Sequence, residues 1–516
     1  MSDSNNANEF RGRKRIYTDE KYIDYRNVIS VLTDALIVHQ FNVKQIQYLL
    51  DYEKGIQPIL GRTKEIRPEI NYKIAENNAA KITDFKVSYE FGSPITYVQR
   101  TRFEVPDSNP DADDIFITAL NEMLIEESKA SKDVELARYF KICGVGYRMI
   151  KAKPRVTGKS VFDILTLNPL TTFIVYSNDI YQKPMMAVTY SQQKNGNTLY
   201  GCYTEDTYFE IENEIRIVNG APTPKDWKVN NGQGVANIPA IIPIVEYVNS
   251  YDRMGCFEKV MSILDAINVI NSDRVNDIAQ HVQSLLWLDN VEIDDDKLPH
   301  LRDYGIIQTK STNGVNGRVA YVESLLHQGE VQKLVDYLNS QAMEIAGVPM
   351  RQENHGGSTG SAMNLSSGWQ FAEISAKHSE SIFEQSERQA IRIMLEIIKK
   401  SNDIPEELAG IENLSVADIE IKFSRNKIYD IATKSNALNT LISTGIDGKH
   451  AIETVSLFTD PQAVWNDSKD LIKKVQEAKT EKKAVKEGQT LAVNTDNEKT
   501  MQDASDQPQK SVYSDI

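Results

Sequence analysis

Few segments of this sequence could do chemistry, and the strongest candidate for a ligand loop is GVPMRQENHGGSTGSAMN, from Gly347 to Asn364. A glycine-rich polar loop between two helices can hold phosphate groups on its backbone N–H groups. This loop contains no lysine, and its only cation, Arg351, precedes the paired glycines. A nucleotide site is therefore disfavoured, whereas a catalytic loop, a plain linker and a mechanical element remain open.

A second candidate is the run of carboxylates formed by Asp289, Glu292 and Asp294–Asp296. Carboxylate oxygens are hard ligands that bind divalent cations. The same residues also fit the start of a helix near Lys297, because carboxylates stabilise the positive end of the helix dipole. The helix start is the favoured interpretation, and no metal site is predicted.

Motifs of known enzyme chemistry are missing from the sequence. There is no G-x-x-x-x-G-K-[ST] phosphate loop, and the nearest fragments, at 143–150 and 443–451, have the wrong spacing. There is also no H-E-x-x-H motif, no Cys/His pair at zinc spacing and no G-x-S-x-G motif. The sequence therefore predicts no catalytic, cofactor-binding or metal-binding residue, and the protein is not expected to be an enzyme.

The charge distribution limits the possible partners. The only basic cluster is RGRKR at residues 11–15, in a chain with a formal net charge of −15. The cluster fits either a solvated tail or a contact with an anionic partner. The acidic total argues against a protein that grips nucleic acid by counterion release, which requires a basic face. It is compatible with nucleic acid that passes without adhering.

The composition indicates a folded protein of several domains. The chain has 516 residues, of which 41% are hydrophobic and 25% charged, so most of it can form packed cores. Three scattered cysteines favour a reducing compartment over a disulfide framework. No secretory signal and no apolar stretch of bilayer length are found, so no membrane association is expected. The polar ends, 1–21 and 481–516, are expected to be disordered tails.

The first half of the chain alternates helical and strand patterns. Helical periodicity covers residues 22–54 and 111–142, and a further helix is expected to run into a strand at KVSYEF, residues 86–91. Short runs rich in Tyr, Val, Ile and Thr between residues 147 and 212 predict an antiparallel sheet. Residues 70–250 therefore predict an α+β domain.

The second half is dominated by long helices. Residues 254–286 carry one apolar stripe, with Asn268, Ser272 and Asn276 on the opposite, polar face. A small α/β insert follows at 287–326, with a predicted hairpin of GIIQT and RVAYVE, and then a second helix that ends at Gly347. A third helix is predicted from about 361 to 402. Long helices with one apolar stripe suit a shaft that packs against copies of itself.

Several ordered motifs resemble one known family, the portal proteins of tailed bacteriophages. The matching stretches are NYKIAEN and FGSPITYV within 71–98, ARYFKICGVGYRMIKAKP at 137–154, LNPLTTFIVYSND at 167–179, IPIVEYVNS followed by GCFEKVMSILDAINVINSDRVNDI within 242–278, and IAGVPMRQENHGGSTGSAMN with a later Trp within 345–369. Each motif is weak alone, but their order and spacing over roughly residues 70–400 are specific.

The resemblance implies an α+β portal fold that assembles as a ring of twelve subunits. It implies a division of the chain into named parts: a disordered tail (1–21), an α+β wing (22–253), a stem helix (254–286), a clip (287–326), a second stem helix (327–346), a tunnel loop (347–360), a long spine helix with a wing return (361–424), a helical crown (425–480) and a second tail (481–516). The two stem helices would then line a channel with their polar faces.

The resemblance also implies function, partners and site residues. Such a ring at one capsid vertex would pass double-stranded DNA without sequence specificity during packaging and ejection. Its expected partners are the terminase large subunit, a head–tail connector or adaptor protein, and the major capsid and scaffolding proteins. Assembly would take place in the host cytoplasm and the mature location would be the virion. The implied tunnel-loop residues are Arg351, Asn354, His355, Gly356, Gly357 and Ser358, and the implied clip docking residues are Asp294, Asp295, Asp296, Lys310 and Arg318.

Two other classes of protein are weighed against this one. A packaging-associated enzyme, such as a terminase-like ATPase or nuclease, would require a phosphate loop or clustered metal carboxylates. A membrane pore of long helices would require lipid-facing apolar spans. The sequence provides neither, so both classes are disfavoured.

Overall fold

The computed structural model describes most of the chain between Gly12 and Lys474. The described residues are 12–65, 68–100, 110–154, 158–218, 221–282, 286–289, 291–292, 310–311, 318–321, 328–350, 368–401, 411, 414–423, 425, 431–455, 457–458, 464–465, 467–472 and 474. Over these residues the fold mixes helices and sheets, as the α+β prediction requires. The chain divides into two compact units, Met1–Phe423 and Ser424–Ile516.

The helices and strands alternate through the first unit and give way to helices in the second. The strands are β1 (Ile16–Thr18), β2 (Thr96–Gln99), β3 (Val145–Ala152), β4 (Phe162–Leu167), β5 (Thr172–Ser177), β6 (Pro184–Gln192), β7 (Thr198–Tyr203), β8 (Thr207–Val218), β9 (Ala221–Val229), β10 (Val235–Ala236), β11 (Ile244–Val248), β12 (Leu286–Asp289), β13 (Val291–Glu292), β14 (Lys310–Ser311), β15 (Arg318–Tyr321) and β16 (Ile419–Lys422). The helices are α1 (Val28–Glu53), α2 (Asn78–Phe91), α3 (Pro110–Glu126), α4 (Lys129–Cys143), α5 (Met261–Val282), α6 (Gln328–Ala346), α7 (Trp369–Lys400), α8 (Ile431–Ser443) and α9 (Gly448–Val455).

The largest sheet has seven strands in the order β1-β5-β6-β7-β8-β10, with β9 also paired to β8. All its pairings are antiparallel except β1 with β5, which is parallel. The N-terminal half of α1 packs on this sheet because Val28, Val31, Leu32 and Ala35, spaced three or four residues apart, form one buried stripe. These residues and the inner sheet positions form one of three hydrophobic clusters.

A second sheet, in the order β11-β3-β4, lies against α4 and the long helix α7. β3 is the central strand and six of its eight residues are buried, Arg148 among them. The strand pair β2 and β16 joins residues more than 300 positions apart, so the return strand after α7 closes this part of the fold. Its core contains Phe140, Phe162 and Phe383.

A buried ionic cluster crosses this core. Glu387 of α7 has no exposed surface, and its carboxylate accepts hydrogen bonds from the Tyr97 and Tyr247 hydroxyls at 2.8 and 2.7 Å. It also pairs with the Lys129 ammonium and the Arg148 guanidinium, each at 3.0 Å. A buried carboxylate requires such partners because an unpaired ion in the interior is strongly destabilising.

The second unit contains the short helices α8 and α9 among its described residues. Gly445, in the left-handed region at φ +90°, ends the first helix, and Asp447 precedes the second. The Asp447 carboxylate accepts the Lys449 N–H at 3.1 Å, as a residue that caps a helix start does.

The structure corrects the prediction that residues 1–21 form a disordered tail. From Gly12 onward the chain is packed: Arg13 is 3% exposed, and β1 adds to the large sheet. The solvated-tail interpretation of the basic cluster is therefore wrong for Arg13. A three-residue strand with one buried cation carries too little periodicity to be recognised from sequence.

Two other element predictions are also wrong in detail. KVSYEF is the end of α2, because Val87 and Phe91 are buried at helical spacing. The helix predicted for 254–286 spans only Met261–Val282, after a 3₁₀ turn at Glu258–Val260, and Leu286 begins a strand. In the insert, β15 pairs with β12 and β14 with β13. The predicted hairpin of GIIQT and RVAYVE stays a prediction, because GIIQT lies outside the described residues.

Candidate functional site

Helices α5 and α6 form an adjacent pair that shares one hydrophobic cluster with the α+β region. Leu264 and Ile267 of α5 and Val335 and Ala342 of α6 are buried in it, together with Tyr52 of α1. Burial of one stripe from each helix fixes the pair to the rest of the unit, because their apolar area is removed from water only in this arrangement.

The polar face of α5 lies under an extended segment, residues 72–76. Asn268, Ser272 and Asn276 are each at most 1% exposed, and they accept backbone N–H groups of every second residue of that segment. The three bonds are Glu76 to Asn268 Oδ1 (2.8 Å), Ile74 to Ser272 Oγ (2.9 Å) and Tyr72 to Asn276 Oδ1 (2.7 Å). The acceptors and the donors have matching spacings, because four helical residues rise about 6 Å and two extended residues advance about 6.7 Å.

This contact changes the role assigned to the polar face. The sequence predicted that Asn268, Ser272 and Asn276 would line a channel, but the segment 72–76 covers them. Their i, i+4, i+8 spacing was visible in the sequence, whereas the extended partner some 200 residues earlier was not. On α5, the exposed residues include Ser262, Val269, Asp277 and Ile278.

The two long helices are also joined by polar contacts away from the hydrophobic cluster. The Arg274 guanidinium of α5 donates to Gln328 Oε1 at 3.0 Å and to Gln332 Oε1 at 2.8 Å, both on α6. Asn78, at the start of α2, donates to Asn339 of α6 at 3.1 Å. These bonds fix the register of the helix pair, which the apolar stripe alone leaves free to slide.

The start of the glycine-rich loop is held by a helix-ending motif. Gly347 has φ +69°, and its N–H donates to Glu344 O at 3.0 Å, while the Val348 N–H donates to Met343 O at 2.8 Å. This is the Schellman arrangement, with the expected contact between the buried side chains of Val348 and Met343. The glycine stop predicted after Ala346 is thereby confirmed.

Each end of the glycine-rich loop packs against a few neighbouring residues. Gly368, at φ +79°, begins α7, and a Cβ at that position would lie 3.8 Å from Pro349 Cα. Below Gly347, the buried Lys86 ammonium donates to Ser375 Oγ of α7 at 2.9 Å. Burial lowers the pKa of Lys86, and the nearby Glu90 carboxylate opposes that shift. The described ends of the loop therefore rest on a rigid base that includes a buried cation.

Replacing Gly347 by Ala is expected to destabilise this base by about 1–2 kcal/mol, since left-handed backbone is unfavourable for a residue with Cβ. The added Cβ would also lie 3.2 Å from Lys86 Nζ. Thermal unfolding measures the effect. Gly329→Ala, in the same helix with no atom within 4 Å of the added Cβ, is the control and is expected to be neutral or mildly stabilising. Equal loss in both variants would contradict the proposed role of Gly347.

The structure describes only some of the predicted tunnel-loop and clip residues. Arg351, Asn354, His355, Gly356, Gly357 and Ser358 lie outside the described residues, as do Asp294, Asp295 and Asp296. Lys310 and Arg318 are described as strand positions: Lys310 of β14 lies opposite Glu292, and Arg318 of β15 opposite Asp289. The docking role of the clip residues stays a prediction.

A row of large apolar side chains on α6 is left exposed. Leu334, Tyr337 and Ile345 are 48%, 61% and 52% exposed. At about 100° per residue they share one face, and the nearest pair across the two faces, Ile345 and buried Ala342, is about 60° apart around the helix. An exposed apolar row of this kind on a described, folded helix indicates an interaction surface.

Comparison with protein families decides what kind of molecule carries this helix pair. The family described as "Phage portal protein, SPP1 Gp6-like" matches residues 36–488, which is most of the chain. The chain belongs to the phage portal protein family. No curated protein matches the chain, so its assignment to the family rests on the family match.

Two further observations apply to the described residues of this portal protein. None of its helices there is long and apolar enough to cross a membrane. No group of three or more His, Cys, Asp or Glu side chains there is arranged to hold a metal ion. The described part of the portal protein therefore offers packed helices and polar anchors, and no assembled metal site.

Proposed function

We propose that this portal protein forms a closed ring around a channel at one capsid vertex, and that viral DNA is packaged and ejected through it. The helix pair α5 and α6 carries the proposal: it shares a core with the α+β region, yet leaves Leu334, Tyr337 and Ile345 exposed. In this proposal the pair is the stem, the insert between its helices is the clip, and the α+β region is the wing.

Ring closure requires two different complementary surfaces on each subunit, because a cyclic assembly is built from head-to-tail contacts. The exposed apolar row of α6 supplies one of them. Burial of a large apolar side chain in such a contact contributes about 1.5–3 kcal/mol. A ring of twelve copies is the proposed assembly.

Tyr337→Glu is therefore expected to prevent ring formation, since a charge would be buried in the subunit contact. Native mass spectrometry would show monomers, while circular dichroism would show an unchanged fold because Tyr337 is 61% exposed in the monomer. Tyr337→Phe keeps the apolar surface and is expected to assemble normally. Normal rings from Tyr337→Glu would remove this face from the subunit contact.

The proposed channel passes double-stranded DNA without reading its sequence. Each subunit brings a formal net charge of −15, so the assembled ring repels phosphates overall and DNA would slide rather than adhere. The tunnel loop, with Arg351, Asn354, His355 and Ser358 facing inward, is proposed to contact the moving duplex. The residues flanking the loop in the structure give it a fixed base.

The remaining parts are proposed as docking sites. The clip, with Asp294–Asp296, Lys310 and Arg318, would receive the terminase large subunit during packaging and a head–tail connector or adaptor afterwards. The wing would face the major capsid and scaffolding proteins. The ring would assemble in the host cytoplasm and remain in the virion.

A packaging-associated enzyme is the alternative function. Portal families are structural in general, and this sequence lacks a phosphate loop. Clear ATP hydrolysis by the purified protein alone would favour the enzyme.

A further inference from the structure

The N-terminal strap, residues 12–18, lies between the start of α5 and the large sheet. Gly12 adopts φ +87°, and a Cβ at this position would lie 1.8 Å from Asp252 O, so only glycine allows this approach. The Arg13 N–H then donates to Arg253 O at 3.1 Å. The strap is thereby packed backbone against backbone on the lead-in segment, residues 251–258, which precedes α5.

The Arg13 side chain anchors the strap to the last turn before the stem. Its guanidinium is fully buried, pairs with the Glu258 carboxylate and donates to Cys143 O at 3.1 Å. Glu258 begins the 3₁₀ turn that leads into α5, and its second oxygen accepts the Gly255 N–H. One arginine thus connects the strap, the end of α4 and the start of α5.

The lead-in segment has little freedom of its own at this point. A Cβ at Gly255 would lie 2.2 Å from Ile142 O, and the Cys256 N–H donates to Lys141 O at 2.7 Å. The segment therefore lies directly on the end of α4. Arg13 also joins the lead-in segment to the end of α4, because its guanidinium bonds both Cys143 and Glu258.

The other end of the strap is fixed to the α+β region. Lys14 and Asn42 of α1 exchange two hydrogen bonds, from the Lys14 N–H at 2.9 Å and to the Lys14 carbonyl at 2.8 Å. Two residues later, at Ile16, β1 begins and runs parallel to β5, and the Asn178 N–H donates to Thr18 O at 2.9 Å. Arg13 and Ile16 are only three residues apart, a span of about 10 Å at full extension, so the strap leaves little slack between its two anchors.

We infer that the N-terminal strap is an internal clamp that holds the start of α5 to the large sheet, with Arg13 as its positioning residue. The stem helix then keeps one direction relative to the wing while DNA passes and partners dock. Loss of Arg13 leaves the buried Glu258 carboxylate without its cation, which opens the clamp at the turn before α5. The link to a stem rests on the proposed function, whereas the clamp itself does not.

Hydrogen exchange tests the clamp on the full-length protein. Arg13→Met is expected to speed exchange of the amides at 255–270 by at least about tenfold and to leave β6 and β7 unchanged. Arg13→Lys, which keeps the charge, is expected to restore part of the protection. Arg15→Met is the matched control, because Arg15 is exposed, donates to the Gln182 side chain at 3.0 Å and lies over the Tyr176 ring.

The possible results distinguish failure of the clamp proposal from failure of the proposed function. Fast exchange confined to 255–270 supports the clamp, even if the purified protein forms no ring. Unchanged exchange at 255–270, or equal acceleration in α5 and α7, overturns it even if rings form normally. If Arg13→Met does not fold, Asn42→Ala, which removes the two reciprocal bonds to Lys14, provides the same local readout.

Discussion

Deletion of Glu353–Thr359 is expected to leave ring assembly intact and to reduce DNA packaging or retention to near background. The reason is that the deletion removes the glycine-rich, polar part of the loop but keeps its base. Gly347 and Val348 retain their helix-ending hydrogen bonds, and Lys86 keeps its bond to Ser375. The stem contacts that would form the ring lie on α6, before the loop. Nuclease-protected DNA per particle measures packaging, and native mass spectrometry measures assembly.

A matched control is available in the C-terminal tail. Deletion of Thr495–Met501 removes the same number of residues from a segment outside the family match, which ends at residue 488. That variant is expected to package normally. Normal packaging by the loop deletion would show that the loop is only a linker, and loss of rings in the loop deletion would give it a role in assembly instead.

Glu387→Gln is expected to lower the free energy of unfolding by about 3–5 kcal/mol, the typical cost of breaking a buried ion pair. The amide keeps the size of the side chain but leaves Lys129 and Arg148 without one of their two carboxylates; Asp133, which bonds both cations, remains. Chemical denaturation monitored by fluorescence measures the change. Glu384→Gln is the control on the same helix, since its pair with Arg388 is about one-third exposed and is worth about 0.3–0.5 kcal/mol.

The same carboxylate predicts an acid sensitivity. Burial alone would raise the pKa of Glu387, but Lys129, Arg148 and two tyrosine hydroxyls outweigh it and lower that pKa to about 2. Because the folded pKa lies below the usual value of 4.5, the stabilisation is complete above pH 4.5 and is lost as the pH falls toward 2. The stability difference between wild type and Glu387→Gln should therefore shrink over this window. A constant difference from pH 6 to pH 2 would contradict the assignment.

Strong periodicity explains which elements the sequence could predict. The helix α6 and its glycine stop were readable because apolar residues recur every three or four positions and Gly347 closes a Schellman motif, although Leu334 and Ile345 of the predicted apolar stripe are exposed. β9 was missed because Pro222 and Pro224 argue against a strand, although β9 lies beside β8 alone among the described strands, where proline is tolerated. β1 was missed because three residues give no period.

Long-range partners explain what the sequence could not reveal about the site. Asn268, Ser272 and Asn276 form a polar stripe whether they face a channel or bind an extended segment, and only the position of residues 72–76 distinguishes the two. Likewise, Arg13 belongs to a basic cluster by composition, but Glu258 lies 245 residues further along the chain. Both pairings depend on the tertiary fold rather than on local pattern.

Electron microscopy of the purified protein tests the central claim most directly. We expect closed rings with a central channel wide enough for duplex DNA, in which the exposed face of α6 contacts the neighbouring subunit. Stable monomers at high protein concentration, with no rings even in the presence of the scaffolding protein, would contradict it.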